Sequence, residues 1–409
     1  MADLLSNAGL EKTERGSLAD IYVVNTCTVT NTADNKSLKL IRQVHRQNEE
    51  AIIVVCGCAS QKDVSKIAEI PGVAIILGNK NKSKIVDYIQ RYQQGKKQII
   101  DIVDLSNAEF ENMQLNNFEQ TRAFVKIQDG CNNFCSYCII PYTRGNVRSK
   151  LKDDVIEEVS VLVEKGHKEV VLTGIHTGNY GAEFEDYHLA DLLEELVQIK
   201  GLERLRISSI EITELNEKVL NVLKKQKILV DHLHIPLQSG SDSVLKRMNR
   251  KYDTNYFFKK LEEIRIIRPK ISITTDIIVG FPGETEEEFL QTLETSRKCH
   301  FSKIHVFPYS LREGTKAEEI PNHIKEEVKK IRVKELINLS KELEIEYMQG
   351  FLEKELTFIP EIIKDGFLYG HTGNYLYIKV KGCKELLWQE VKVKLKKIEY
   401  PYVIGDLKN

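Results

Sequence analysis

The densest chemistry in the sequence lies between Cys131 and Cys138, where Cys131, Cys135 and Cys138 are separated by three and then two residues. Thiolates are the usual protein ligands of a cubane iron–sulfur cluster, which has four irons. Three thiolates from one loop leave one iron without a protein ligand. An open iron can chelate the amino and carboxylate groups of S-adenosylmethionine (SAM). Electron transfer from the cluster can then break the sulfonium bond and release a carbon radical. A structural zinc site is the rival reading, but such sites usually pair cysteines twice, and no second pair follows here. The open cluster is the better reading. Tyr137, beside the last cysteine, is a candidate to pack on the SAM adenine, or simply to fill the loop.

Two further cysteines stand where chemistry is expected. Cys27 follows the apolar run Ile21–Val24, and Cys58 follows Ile52–Val55. Both fall just past the carboxyl ends of expected parallel strands, the place where open α/β sheets put their sites. Cys56 lies one strand repeat deeper than Cys58 and reads as a small apolar residue. Cys299 and Cys383 are isolated and read as structural. Thr173-Gly174 is a candidate SAM contact, because backbone without a bulky side chain can approach a ligand closely. His176 and His234 read as loop or core histidines. Arg144 and Arg148 flank the cysteine loop and are candidate phosphate contacts. Lys392, Lys394, Lys396 and Lys397 form a row that suits either RNA or a solvated strand edge. No Ser–His–Asp set or Walker loop is visible.

These residues need elements to position them. From Ala19 to Tyr92 the apolar runs Ile21–Val24, Ile52–Val55 and Val73–Leu77 read as buried strands, with helices over Asp34–Arg46 and Lys80–Tyr92. Continuous apolar strands alternating with helices imply a parallel sheet covered on both faces. Ala2–Ala8 reads as a helix, so this domain opens without the strand expected first. Six further strands follow, Ala123–Gln128, Glu169–Thr173, Leu205–Ser208, His232–Ile235, Ile271–Val279 and Ile304–Tyr309, with helices between them. That series predicts a partial β/α barrel with its site at the carboxyl ends of the strands. A long helix over Lys325–Met348 closes it. Beyond Gly350, Leu356–Ile359, Tyr375–Val380 and Glu390–Leu395 predict a small antiparallel β domain.

Bulk properties narrow the class. The 409 residues suit two or three domains, and an apolar fraction of 42% is ordinary for globular chains. The net charge of −1 gives no whole-molecule argument for nucleic acid, so any RNA site must be a local patch. The longest apolar runs are strand-sized, far short of the roughly 20 residues that span a bilayer. No signal peptide is recognisable at Met1, which predicts a cytoplasmic protein without a membrane partner. Eight cysteines in such a chain argue against a disulfide framework.

The extended string Gly130-Cys-Asn-Asn-Phe-Cys-Ser-Tyr-Cys-Ile-Ile-Pro-Tyr-Thr-Arg-Gly145 is similar to that of the radical-SAM methylthiotransferases. Asn25-Thr26-Cys27, Gly57-Cys58, Ile235–Ser241 and Thr275–Thr285 extend the resemblance, in order, over nearly the whole chain. It implies a flavodoxin-like doubly wound cluster domain over 1–98, truncated at its start, and a linker over 99–120. A partial (β/α)6 radical-SAM barrel over 121–348 and an RNA-binding TRAM β-barrel over 349–409 follow. It also implies two 4Fe-4S clusters: one on Cys131, Cys135 and Cys138 that binds SAM, and an auxiliary one. Of the three cysteines the family devotes to the second, Cys27 and Cys58 match. The third sits in a Leu-Gly-Cys segment that has no match after Met1, so an in-frame Leu-Gly-Cys upstream is expected if the start was misassigned. Asp276–Gly280 resembles the family's adenine-contacting strand, and Gly370–Tyr375 the TRAM core motif.

The activity implied is transfer of a methylthio group to C2 of a tRNA adenosine. One SAM is the methyl donor and another the radical source. The strings Asn25–Asp34 and His305–Ser310 resemble the branch acting on N6-threonylcarbamoyladenosine at position 37. The isopentenyladenosine and ribosomal-protein-aspartate branches fit less well. A non-catalytic RNA-binding protein is the alternative of another class. Expected partners are a tRNA anticodon stem-loop and an electron donor such as flavodoxin or ferredoxin, with the protein a monomer.

Overall fold

The computed structural model describes residues 1–14, 16–28, 31–113 and 121–408. They form two compact units. One comprises Met1–Asn116, Asp129–Lys150 and Ser310–Glu319; the other comprises Asn117–Gln128, Leu151–Tyr309 and Ile320–Asn409. The cysteine loop groups with the N-terminal sheet rather than with the strands it interrupts.

In the first unit, Ile21–Thr26, Ile52–Gly57, Val73–Leu77 and Ile99–Asp101 make a parallel sheet in that order. Alternate residues of one strand face opposite sides. Ile53 and Val55 pack with Ile41 and Val44 of the helix Asn31–Gln47 and with Ile67. Ile52 and Val54 pack with Tyr88 and Ile89 of the helix Ile85–Gly95, and with Leu4 and Leu5 of Ala2–Asn7. Burial on both faces is why these strands read as unbroken apolar runs. The short strand Ile99–Asp101 corrects the expected linker over 99–120. Its three residues are too few to show a period, yet they pair with Ile75–Leu77. The rest of that linker includes residues 114–120, which lie outside the described residues.

In the second unit, Arg122–Lys126, Glu169–Thr173 and Arg204–Ile207 form one parallel three-stranded sheet. His232–His234, Ser272–Val279 and Lys303–Pro308 form another. A single bridge, Ser209 to His234, joins them. This is the expected partial (β/α)6 barrel. Its helices start at side-chain caps: Asn216 Oδ1 accepts from Val219 N, Asp253 Oδ1 from Tyr256 N and Thr285 Oγ1 from Glu288 N. The helix Glu326–Gln349 seals the last strand, where the Ser340 hydroxyl bonds both the N–H and the carbonyl of Ile304.

Five strands close the C-terminal barrel: Glu355–Lys364, Phe367–Thr372, Tyr377–Lys381, Val391–Glu399 and Tyr402–Lys408. Two of them, Phe367–Thr372 and Tyr402–Lys408, carry glycines and weak alternation and were not expected. Nor is the barrel wholly antiparallel, since Tyr377–Lys381 runs parallel to Tyr402–Lys408. An odd number of strands cannot alternate direction all the way round a closed ring, so one parallel pair is unavoidable. No helix among the described residues is long and apolar enough to cross a membrane.

Candidate cluster and SAM site

The cysteine loop is held at its neck. Gly130 has φ +75°, and a Cβ there would run into the Asn146 carbonyl, so the chain can turn here only without a side chain. Cys131 N donates to Gly145 O at 3.1 Å and Cys138 N to Cys135 O at 2.9 Å. Behind the turn lies Asp129, only 3% exposed. One of its oxygens accepts from Gly130 N at 2.9 Å. The other is shared by Arg144 Nη1 at 3.3 Å and Arg148 Nη2 at 3.1 Å. Arg148 also donates to the carbonyls of Arg144 and Asn146. A buried carboxylate thus clamps both ends of the loop.

This placement corrects the reading of Arg144 and Arg148 as phosphate contacts. Arg148 is 5% exposed and turned inward. Arg144 spends its Nη1 on Asp129 and its Nε on Cys58 Sγ, 3.1 Å away. Charged side chains this deep stay only because they are paired.

Cys27 and Cys58 fall where expected. Thr26 lies opposite Gly57 in the parallel register, so the two cysteines follow as next residues on adjacent strands. The Thr26 hydroxyl donates to Cys56 O at 2.7 Å and accepts from Ala59 N at 3.2 Å, fixing the turn that starts the helix Cys58–Lys62. Cys27 is exposed and Cys58 buried. Besides Arg144, Asn79 Nδ2 donates to Cys58 Sγ at 3.6 Å while also donating to Thr143 O at 2.8 Å. Arg312 donates to Thr28, beside Cys27, and to Asp34 Oδ2. Cys56 is fully buried, and burial pushes its thiol up, as suits a core residue. Cys299 is likewise buried and pushed up to about 12. Cys383 is exposed.

The donor set fits a cluster. Cys131, Cys135 and Cys138 are partly exposed, none is disulfide-bonded, and all three sit on one clamped loop. Among the described residues no three His, Cys, Asp or Glu side chains converge on a single-ion site. A cubane does not ask for that, since each thiolate binds a different iron. Tyr137 is half-buried beside them.

In the barrel unit the candidate SAM contacts have structural employment. The Thr173 hydroxyl donates to Val125 O at 3.2 Å. A Cβ on Gly174 would press on Gln128, whose Oε1 accepts from His176 N at 2.7 Å. Asp276 pairs with His234 Nε2 at 3.3 Å. Gly280, with φ +73°, packs under the stem of Lys329, and its N donates to Glu284 Oε2 at 2.6 Å. Sequence reasoning missed the ion pair between His176 and Glu214, which ties together the loops after the second and third barrel strands. Burial pushes the Glu214 carboxyl up, against the pull of the hydrogen bond from His176. No local pattern links two such residues. Asp129, Asn79 and Arg312 were missed for the same reason.

The RNA candidates divide. Lys394 and Lys396 share Glu353, and Lys397 pairs with Glu399; Lys392 is exposed. The Gly370–Tyr375 motif packs in part onto the barrel base, with Tyr375 still exposed. Arg204 Nη1 donates to His371 O and Arg206 Nη2 to Gly373 O, both at 3.2 Å. Tyr375 stacks on His232 at 4.7 Å and accepts a hydrogen bond from Arg122 Nη1 at 3.0 Å. The motif's visible work is docking.

Residues 125–295 match the Radical SAM superfamily, and residues 1–78 match a family described as Uncharacterized protein family UPF0004. The chain is 44% identical to the threonylcarbamoyladenosine tRNA methylthiotransferase MtaB of Bacillus subtilis (strain 168), over 98% of this chain and 91% of that one. The chain belongs to the radical-SAM methylthiotransferases. The MtaB protein of Aquifex aeolicus (strain VF5) is 37% identical over 94% of each chain. A tRNA-2-methylthio-N(6)-dimethylallyladenosine synthase of Clostridium perfringens (strain SM101 / Type A) is 34% identical over 100% of this chain and 93% of that one. The radical SAM methyltransferase TsrM of Kitasatospora setae shares the fold alone, with TM-score 0.54 and 13% identity. That likeness covers 72% of this chain and 64% of TsrM. Methylthiotransferases of this family use a 4Fe-4S cluster with SAM and carry a second cluster.

Proposed function

We propose that this methylthiotransferase acts on C2 of N6-threonylcarbamoyladenosine at position 37 of tRNA. The observation that carries the reading is the near full-length identity to the Bacillus subtilis enzyme named for that nucleoside, higher than to the dimethylallyladenosine synthases. When bound, the cluster and SAM supply a carbon radical able to take hydrogen from the adenine. The chain's own residues hold and orient. Cys131, Cys135 and Cys138 hold the SAM-binding cluster, and Asp129 fixes the neck of their loop. Cys27 and Cys58 are ligands of the auxiliary cluster, with Arg144 and Asn79 donating hydrogen bonds to the Cys58 sulfur. Such outer contacts orient ligands and tune a cluster's potential.

The partner is the anticodon stem-loop of a tRNA in the cytoplasm, and a flavodoxin or ferredoxin is the electron donor to a monomeric enzyme. Exposed Lys392 on the C-terminal barrel is the lysine of its row best placed to meet phosphate. Nucleoside mass spectrometry of tRNA from a deletion strain tests the assignment. Methylthio-threonylcarbamoyladenosine should vanish and return on complementation. Its persistence, or loss of the dimethylallyl nucleoside instead, would refute the substrate.

A further inference from the structure

A cavity of about 450 Å³ lies inside the barrel unit, reaching from Arg122, Ser272 and Lys303 at the starts of their strands to Ser208 and Ser209 just past the end of Arg204–Ile207. Thr173, at the carboxyl end of its strand, and Asp276, midway along its own, do not line it. Its floor is Tyr375 of the docked C-terminal barrel, and its wall includes Arg122, Arg206, Ser209, Lys303 and His305. Pockets of this size take small organic groups. The basic residues are held in place by acidic and backbone partners, one of which, Glu344, also lines the cavity. Arg206 Nε rests on Glu169 at 2.8 Å and its Nη2 on Gly373 O, while Lys303 Nζ rests on Glu344 at 3.2 Å. Arg206 is only 3% exposed, yet its Nη1 has no hydrogen-bond partner among the described residues. His305 is exposed on the opening side, with its ring beside that of His234 at 5.6 Å. A purely apolar guest would leave the buried guanidinium nitrogen unpaired, which disfavours it against a guest that carries an acceptor.

The substituents on C2 and C6 of an adenine point in directions that diverge across the ring. With C2 presented at the carboxyl ends of the strands, a group on N6 can extend along the lumen. A threonylcarbamoyl group carries a carboxylate, a hydroxyl and a urea; a dimethylallyl group carries carbon alone. We propose that this cavity seats the N6 substituent of the tRNA base, with Arg206 and His305 as specificity-determining contacts to its polar atoms. The inference rests on the threonylcarbamoyl reading above and adds the place where that group is recognised.

Binding of short anticodon stem-loops to the full chain tests it, without turnover. Three RNAs are compared, carrying threonylcarbamoyladenosine, dimethylallyladenosine or plain adenosine at position 37. The unaltered chain should prefer the first by about tenfold or more, because a site built for polar groups rejects analogues that lack them. His305→Leu, at an exposed position, should remove most of that preference while leaving affinity for the plain stem-loop unchanged. Arg206→Gln should also remove most of that preference, with thermal unfolding checking its fold, although its bond to Gly373 O makes some loss of affinity for every stem-loop expected. Full preference retained in His305→Leu and in a folded Arg206→Gln would overturn the cavity assignment. No preference in the unaltered chain would instead overturn the substrate reading, and the inference with it.

Discussion

The cysteine-bearing unit and the barrel unit solve one problem, holding reactive groups still, in opposite ways. In the first, the three thiols of the loop come from eight consecutive residues, and one buried carboxylate, Asp129, clamps both flanks of their loop. In the second, the cavity wall is gathered from separate strands and from the C-terminal barrel, each residue braced by a different partner. Concentration makes the first unit readable and brittle. Dispersion makes the second unit opaque and tolerant.

The largest effect expected from this contrast is all-or-none. Replacing Cys131, Cys135 or Cys138 with alanine leaves two thiolates for a cluster that needs three. Anaerobic iron and sulfide counting should show loss of the SAM-binding cluster, and dithionite-driven SAM cleavage should fall to background. Each single variant should do as much harm as the triple one, since the three act as a unit. A single variant that keeps half the iron and measurable SAM cleavage would break the comparison at its root.

What could be read from the sequence follows the same division. The apolar runs such as Ile52–Val55 and the strand-helix alternation are local patterns, and each led to the right element; the Cys131/Cys135/Cys138 spacing is local as well. Asp129 and Arg144 could not be found that way. Arg144 reaches Cys58 across 86 residues of chain and looked like a surface cation from its flanking position. The contacts of Gly370–Tyr375 were hidden for a related reason, because a motif fixes residue types but not the surface they face. Tyr375 meets His232 only after two domains have folded. Ile99–Asp101 was too short to carry a period, although its neighbour in the sheet was plain.

A smaller effect tests the clamp. Asp129→Asn keeps the shape but leaves two guanidinium groups short of their shared carboxylate, with side chains 6% and 19% exposed. Breaking a buried ion pair by removing one partner costs about 3–5 kcal/mol. Thermal unfolding of the cysteine-bearing unit should shift down by several degrees. Iron should leave the triad cluster faster under a chelator, with SAM affinity weakened only through that loss. Breaking any one brace of the cavity wall, such as Glu344→Gln beside Lys303, should cost far less. Equal losses from the two changes would show that the units are built alike.

The smallest effect belongs to the dispersed unit and carries a pH signature. Glu288 completes a capping box at the start of the helix Glu286–Lys298: its Oε2 accepts from Thr285 N at 2.9 Å, and its own N donates to Thr285 Oγ1 at 3.2 Å. Arg247 grips the same carboxylate through Nη1 at 2.9 Å and Nη2 at 2.7 Å, and Ser243 donates to it as well. The hydrogen bonds from Arg247, then those from Ser243 and Thr285, hold this carboxyl down at about 2, against an ordinary value of 4.5. A carboxyl whose folded value is depressed stabilises the fold fully above its unfolded value and loses that contribution as pH falls towards the folded one. Glu288→Gln should therefore lower stability at pH 7 by about 1–2 kcal/mol, the scale of a lost cap and charge-assisted hydrogen bond. The gap between variant and parent should narrow below pH 4.5 and close near about 2. Urea unfolding of the barrel unit, followed from neutral to acid pH, measures it. A gap that stays constant over that range would mean that Glu288 supports the helix through shape alone. The barrel unit's dispersed bracing would then lean less on charge than the cysteine-bearing unit does.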